Sequence, residues 1–151
     1  MNEPSCRALD AADLPGLAGV LDAAGLPGGD VHLPGRRFFG FADDGGPMGY
    51  GGLEGDAPDV LIRSVVVRPE RRGAGCGAAI VGALERRAVA LGATRLHLLT
   101  ATAAGFFVRL GYGPTPRASA PSAIAGSRQF ACLCPGDAHY LVKDIGRGDR
   151  T

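Results

Sequence analysis

The 151-residue sequence has a single lysine, Lys143, and no acidic residue between Arg86 and Gly136. Without a second lysine no Gly-x-x-x-x-Gly-Lys-Ser/Thr phosphate loop can be written. Without an acid about 20 residues beyond a glycine-rich turn, a dinucleotide fingerprint has nothing to hold the ribose. Met1-Asn2-Glu3-Pro4 offers neither a basic n-region nor an apolar h-region, which argues against a signal peptide. No uninterrupted apolar run approaches membrane-spanning length, so no membrane partner is expected. A net charge of +1 with no Lys/Arg run gives no reason to expect a nucleic-acid partner. The cytoplasm is then the default compartment, and the four cysteines are expected as thiols. Linkers, repeats and low-complexity blocks are missing too, so residues 1–151 read as one domain with a flexible tail from about 144.

What is present starts with six arginines in the acid-free stretch (Arg86, Arg87, Arg95, Arg109, Arg117 and Arg128). They imply either a positive field suited to an anionic ligand or a solvated basic surface. Ser5 to Leu9 is a short strand, followed by a helix capped by Asp10 or Asp13 with Leu14, Leu17, Val20 and Leu21 at helical spacing. Phe38–Ala42 and Met48–Leu53 flank Asp43-Asp44-Gly45-Gly46-Pro47 as a hairpin with a long turn, and Val60–Val67 completes a meander. Gly75 to Leu91 predicts a helix, with Ile80, Leu84, Ala88 and Leu91 on its apolar face and Gly92 beyond its end. Leu96–Leu99 is a strand, Ala103–Leu110 a short helix, Pro121–Phe130 an extra helix, and His139–Val142 a closing strand. The order is that of an α/β fold, a mixed, mostly antiparallel sheet with helices on both faces.

Between the third strand of the meander and the long helix stands Arg72-Gly73-Ala74-Gly75-Cys76-Gly77-Ala78. A strand that breaks into glycines and restarts as a helix leaves backbone N–H groups without intrahelical partners. Together with the positive end of the helix dipole they cradle an anion, most often a phosphate or pyrophosphate. Gly73-x-Gly75-x-x-Ala78 fits a permissive dinucleotide pattern, but it lies mid-chain after a meander and lacks the ribose-binding acid.

Val67-Arg68-Pro69-Glu70-Arg71-Arg72-Gly73-Ala74-Gly75-Cys76-Gly77 closely resembles the acyl-CoA pyrophosphate motif of the GNAT superfamily of N-acetyltransferases, Arg/Gln-x-x-Gly-x-Gly/Ala. Ala103-Ala104-Gly105-Phe106-Phe107-Val108-Arg109-Leu110-Gly111-Tyr112 resembles the family's second cofactor element. Among members the chain is most similar to small proteins associated with arsenic resistance. That likeness rests on Gly25-Leu26-Pro27, Gly52-Leu53-Glu54, Leu61-Ile62-Arg63-Ser64-Val65, Leu98-Leu99-Thr100-Ala101-Thr102 and Gln129-Phe130-Ala131-Cys132-Leu133-Cys134-Pro135. The resemblance implies the single-domain GNAT fold and transfer of acetyl from acetyl-CoA, as co-substrate, to a small anionic amine, an arsenical or phosphinate analogue of glutamate among them. It implies pyrophosphate on the N–H groups of Arg72, Gly73, Ala74, Gly75, Cys76, Gly77 and Ala78, and pantetheine along Val65 and Val67. Thr100 and Phe106 complete the cofactor site, and a homodimer is compatible with it.

The reaction needs a base, a donor that polarises the thioester carbonyl, and benefits from an acid for the leaving thiolate. The resemblance puts the polarising N–H at Val65 or Val66. Where many members carry an acidic Tyr this chain has Phe107, which donates no proton, so CoA thiolate leaves unprotonated or is served from elsewhere. Glu54 is the candidate base, with Asp56 and Asp59 behind it; a surface carboxylate at a turn is the other reading. Arg63 interrupts an apolar strand and suits an oxyanion, or pairs with Glu54 instead. Arg37 and Arg128 share the substrate role, Arg36 and Arg117 more weakly. Cys132-x-Cys134 with His139 falls short of a metal set, so no metal is expected. His97 is a packed histidine or, less simply, a base. A non-catalytic acyl-CoA-binding module is the alternative to an enzyme.

Overall fold

A computed structural model describes residues 4–26, 28–73, 75–127, 130 and 138–145. Its strands are β1 (Ser5–Ala8), β2 (Arg36–Asp43), β3 (Gly46–Glu54), β4 (Asp59–Val67), β5 (Arg95–Thr100), β6 (Gly113–Pro114) and β7 (His139–Asp144). The helices are α1 (Leu14–Ala23), α2 (Cys76–Ala90), α3 (Ala104–Arg109) and α4 (Ser122–Ala125). The fold is α/β, with one seven-stranded mixed sheet in the order β1-β2-β3-β4-β5-β7-β6. Contacts gather the chain into two compact units, Met1–Glu54 with Ile62–Arg87 and Gly55–Leu61 with Ala88–Thr151.

In the first unit β1, β2 and β3 pair antiparallel, and Arg68 N–H donating to the Met48 carbonyl (2.8 Å) ties β3 to the end of β4. Asp10 opens a single 3-10 turn, Ala11–Asp13, through a reciprocal capping box with Asp13, and α1 follows directly. Leu17, Leu21, Val31, Phe38 and Val66 form the buried cluster under α1. The β2–β3 turn is shorter than the sequence suggests. Asp43 pairs with Gly46, and the Asp43 carboxylate accepts the Gly45 N–H (2.8 Å), which closes the hairpin over two residues. The glycines of β3 serve close approach: a Cβ on Gly49 would fall on the Val66 carbonyl oxygen, and one on Gly51 would meet Leu84 at 2.6 Å.

In the second unit the start of β4 runs parallel to β5, Asp59–Leu61 against Arg95–His97, and β7 pairs antiparallel with both β5 and β6. Leu61, Ile124, Phe130 and Tyr140 form its buried cluster. The lone lysine closes α3: Lys143 Nζ donates to the Leu110 carbonyl (2.9 Å) and lies over the Tyr112 ring, a cation at a helix C-terminus.

Two expectations need correction. The helix expected over 121–130 is not continuous: α4 ends at Gly126 and Ser127, whose Oγ donates to the Ile124 carbonyl (2.7 Å), Phe130 is again helical, and residues 128 and 129 lie outside the described residues. Leu91 is 42% exposed, since α2 ends at Ala90, while Ile80, Leu84 and Ala88 are buried. At the other end β7 runs through Asp144, and Ile145 N–H bonds the Thr94 carbonyl. Residues 146–151 lie outside the described residues.

Candidate functional site

Val67 ends β4, and Pro69 cannot continue the ladder, so Pro69–Arg71 make one 3-10 turn. Arg72 is extended, and Gly73 (φ +83°) and Gly75 (φ +78°) are left-handed. A Cβ on either glycine would meet nothing within 4 Å, so backbone conformation and not crowding selects glycine there. The Ala79 N–H is satisfied by the Gly75 carbonyl (3.2 Å). The N–H groups of Cys76, Gly77 and Ala78 precede it, in the turn where a helix lacks intrahelical acceptors. Arg72, Gly73, Gly75 and Ala78 are exposed, Cys76 is buried, and Ala74 lies outside the described residues.

Arg71 anchors this loop to the β2–β3 turn. Its Nη2 meets Asp43 Oδ2 at 2.6 Å, and Nη1 donates to the Gly46 carbonyl (3.0 Å). The hydrogen bond from Arg71 holds the Asp43 carboxyl below its ordinary range and raises Arg71 in turn. Arg72 Nε reaches back to the Val67 carbonyl at 3.3 Å. Beside the loop a groove of about 280 Å³ is lined by Val20, Ala24, Tyr50, Val66 and Val67 together with Arg68 and Arg72. Val20, 36% exposed, is one of the larger apolar side chains left in water.

Midway along β4, Ser64 has φ +60°, a conformation that costs a non-glycine residue on the order of 1–3 kcal/mol and gathers at functional sites. Next to it, Arg63 is saturated. Nη1 donates to Asp30 Oδ2 (2.8 Å) and Glu54 Oε1 (3.0 Å), Nη2 to Asp30 Oδ1 (2.7 Å), and Nε to Ser64 Oγ (3.0 Å). Arg36 joins from 3.2 Å to Asp30 and 3.5 Å to Glu54, and the Phe38 ring lies beneath Arg63. Burial pushes the Asp30 carboxyl upward, but the Arg63 hydrogen bonds and the two positive charges outweigh it and hold it below its ordinary value. Burial opposes the Arg63 charge, and Asp30 and Glu54 restore it and raise its pKa.

With its side chain 0% exposed and its donors on protein oxygens, Arg63 makes the pairing with Glu54 that its sequence reading left open, and it holds the Asp30 segment to the sheet. Glu54, the candidate base, is likewise taken by two guanidiniums and is buried. Sequence reading missed Asp30 because its partner lies 33 positions away. Arg37 is exposed; Arg128 lies outside the described residues.

In the second unit Thr100 Oγ1 accepts the Ala103 N–H (3.0 Å) and holds the start of α3. Phe107 is buried edge-on between Phe106 and Tyr112, an apolar seat for the residue that replaces a proton donor. His97 is packed and bonded at both nitrogens, Nε2 to Asp59 Oδ1 (2.7 Å) and Nδ1 to the Tyr140 hydroxyl (2.8 Å). Burial, and then Asp59, raise the Tyr140 phenol above its ordinary range. Asp59 also pairs with Arg95 at 3.3 Å, whereas Asp56 is exposed in the turn. Among the described residues no group of three or more His, Cys, Asp or Glu is placed to hold a metal, and no helix is long and apolar enough to cross a membrane. Cys132 and Cys134 lie outside them.

Residues 34–114, more than half of the chain, match the family model described as the acetyltransferase (GNAT) domain, and the chain belongs to that family. Among solved structures it is similar to N-acetylglutamate synthase from Neisseria gonorrhoeae complexed with coenzyme A and N-acetyl-glutamate (TM-score 0.76, 19% identity). The alignment covers 97% of this chain but 36% of the synthase, so the chain spans about a third of that relative's length. A Mycobacterium tuberculosis protein in complex with CoA aligns at TM-score 0.70 and 22% identity, over 94% of this chain and 99% of that one. The ribosomal-protein-S18-alanine N-acetyltransferase from Escherichia coli aligns at TM-score 0.69 and 15% identity, over 98% and 99%. No curated protein matches the chain.

Proposed function

We propose that the protein is an acetyl-CoA-dependent N-acetyltransferase that acetylates the amine of a small anionic, amino-acid-like acceptor. The observation that carries this reading is the Arg72–Ala78 turn, where two left-handed glycines open onto the first turn of α2 and leave N–H groups free to meet a pyrophosphate. The groove beside it, lined by apolar side chains together with two arginines, suits a pantetheine arm and its phosphates. In this reading Val65 and Val67 line the arm, and the Val66 N–H polarises the thioester carbonyl. The amine attacks the carbonyl carbon, the C–S bond breaks, and CoA leaves as thiolate, because Phe107 supplies no proton. Glu54 acts on the ammonium proton through water if its ion pairs with Arg63 and Arg36 loosen. A role against arsenical or phosphinate toxins rests on the five sequence segments shared with arsenic-resistance proteins. A cytosolic setting is supported by the free thiols of Cys6 and Cys76.

The test is acetyl-CoA-dependent thiol release with amino acids, phosphinate and arsenical glutamate analogues, and neutral amines. Turnover is expected on the anionic amines. Tight CoA binding with no turnover on any amine would replace the enzyme with an acyl-CoA-binding module, the reading that Phe107 also admits.

A further inference from the structure

Arg117 is the counterpart of Arg63 with its partners removed. It opens the turn Arg117–Ser119, and its guanidinium carbon lies 4.4 Å from the centroid of the Phe130 ring. Nη2 donates to the Phe130 carbonyl at 2.9 Å. Nη1 is buried and has no hydrogen-bond partner among the described residues. No ion pair to Arg117 occurs among the described residues, and the nearest acids in the sequence stand at Glu85 and Asp137. Removing a charged donor from water without an acceptor is costly, and native chains rarely keep one unless something outside the chain completes it.

The surroundings narrow the ligand. Phe130 covers one face of the guanidinium, and the carbonyl bond stops it rotating, so the plane is set before anything binds. A fixed guanidinium plane with an unused donor matches a carboxylate or a related oxyanion, which takes paired N–H groups in that plane. Phe130 also meets Tyr140 edge-on at 5.1 Å within the apolar cluster, and a low-dielectric setting strengthens an ion pair formed there. The acid-free sequence around Arg117 leaves no competing carboxylate close along the chain.

We propose that Arg117 binds the carboxylate, or the equivalent phosphinate or arsinate oxyanion, of the acceptor and so selects anionic amines. This rests on the acetyltransferase reading for the word acceptor, though not for the binding of the anion.

Arg117→Met, which keeps the apolar stack on Phe130, and Arg117→Lys, which keeps a charge without the fork, test it. Thermal unfolding is followed with CoA present, using L-glutamate, L-aspartate and a phosphinate analogue of glutamate as probes, and glutamine α-amide as the control that carries no carboxylate. The anions are expected to raise the wild-type Tm and the amide to do so far less. Arg117→Met should lose the rise, while its Tm without anion equals or exceeds that of wild type, since the uncompensated donor is gone. In kinetics KM for anionic amines should rise about tenfold or more with KM for acetyl-CoA unchanged, and Arg117→Lys should recover part of the loss. No Tm response of the wild type to any of the anions overturns the proposal, as does an undiminished response in Arg117→Met. Loss of the anion response in Arg117→Met without turnover on any amine would leave the anion site standing and remove the enzyme. Turnover that ignores Arg117 would do the reverse.

Discussion

In the first unit Arg63 meets Asp30, Glu54 and Ser64, whereas in the second Arg117 meets one carbonyl and one aromatic ring. Both guanidiniums are drawn away from water, and both are braced by a phenyl ring. The difference is the carboxylates. Asp30, Glu54, Arg36 and Arg63 close on one another, which makes a joint between the Asp30 segment and strands β3 and β4. Around Arg117 no carboxylate among the described residues answers the charge. An arginine in an apolar strand therefore says little about substrate until its acceptors are counted.

The largest effect should come from opening the closed cluster. Asp30→Ala leaves the Arg63 charge buried with one carboxylate fewer and should cost about 3–5 kcal/mol, read from urea unfolding. Arg117→Met, by contrast, should leave unliganded stability unchanged or raised. Equal losses from the two substitutions would erase the distinction between them.

Acid sharpens the same contrast. Asp30 sits below its unfolded value, so its ion pairs stabilise the fold above about pH 4 and that contribution is lost as pH falls through the folded value. Stability measured from pH 6 down to pH 3 should fall more steeply in wild type than in Asp30→Asn. A slope common to both would remove Asp30 from acid unfolding.

Arg71 lies between the two extremes, partly exposed and paired with Asp43. Arg71→Ala or Asp43→Asn should raise KM for acetyl-CoA several-fold by releasing the loop that bears Gly73 and Gly75, with kcat little changed. The double variant should be no worse than either single one, as expected for a pair that acts as a unit.

The smallest effect is alkaline. Tyr140 is held above its ordinary range by burial, so the folded chain keeps a proton that the unfolded chain releases, and stability should fall as pH rises past about 10. Tyr140→Phe should flatten that limb; an unchanged limb would place the loss elsewhere.

Much of the scaffold could be read in advance because its signals are local. Leu14, Leu17 and Leu21 mark α1, alternating residues mark β2 and β3, and the glycines mark the loop before α2. The failures occur where a signal depends on distant chain. Pro121–Phe130 looks helical by composition, yet Gly126 and the Ser127 side chain end α4 after one turn. The two residues of β6 are too few to show a period, and only β7 makes them a strand.

The sequence by itself determined the glycine loop before α2. The left-handed turns at Gly73 and Gly75 are a property of those residues and their immediate neighbours. Tertiary structure decided the roles of the arginines. A guanidinium's role is set by the acceptors it reaches, and those of Arg63 come from positions 30 and 54, whereas Arg117, among the described residues, reaches the Phe130 carbonyl. No pattern along the chain encodes that contrast, because the acceptors are brought to each arginine by folding.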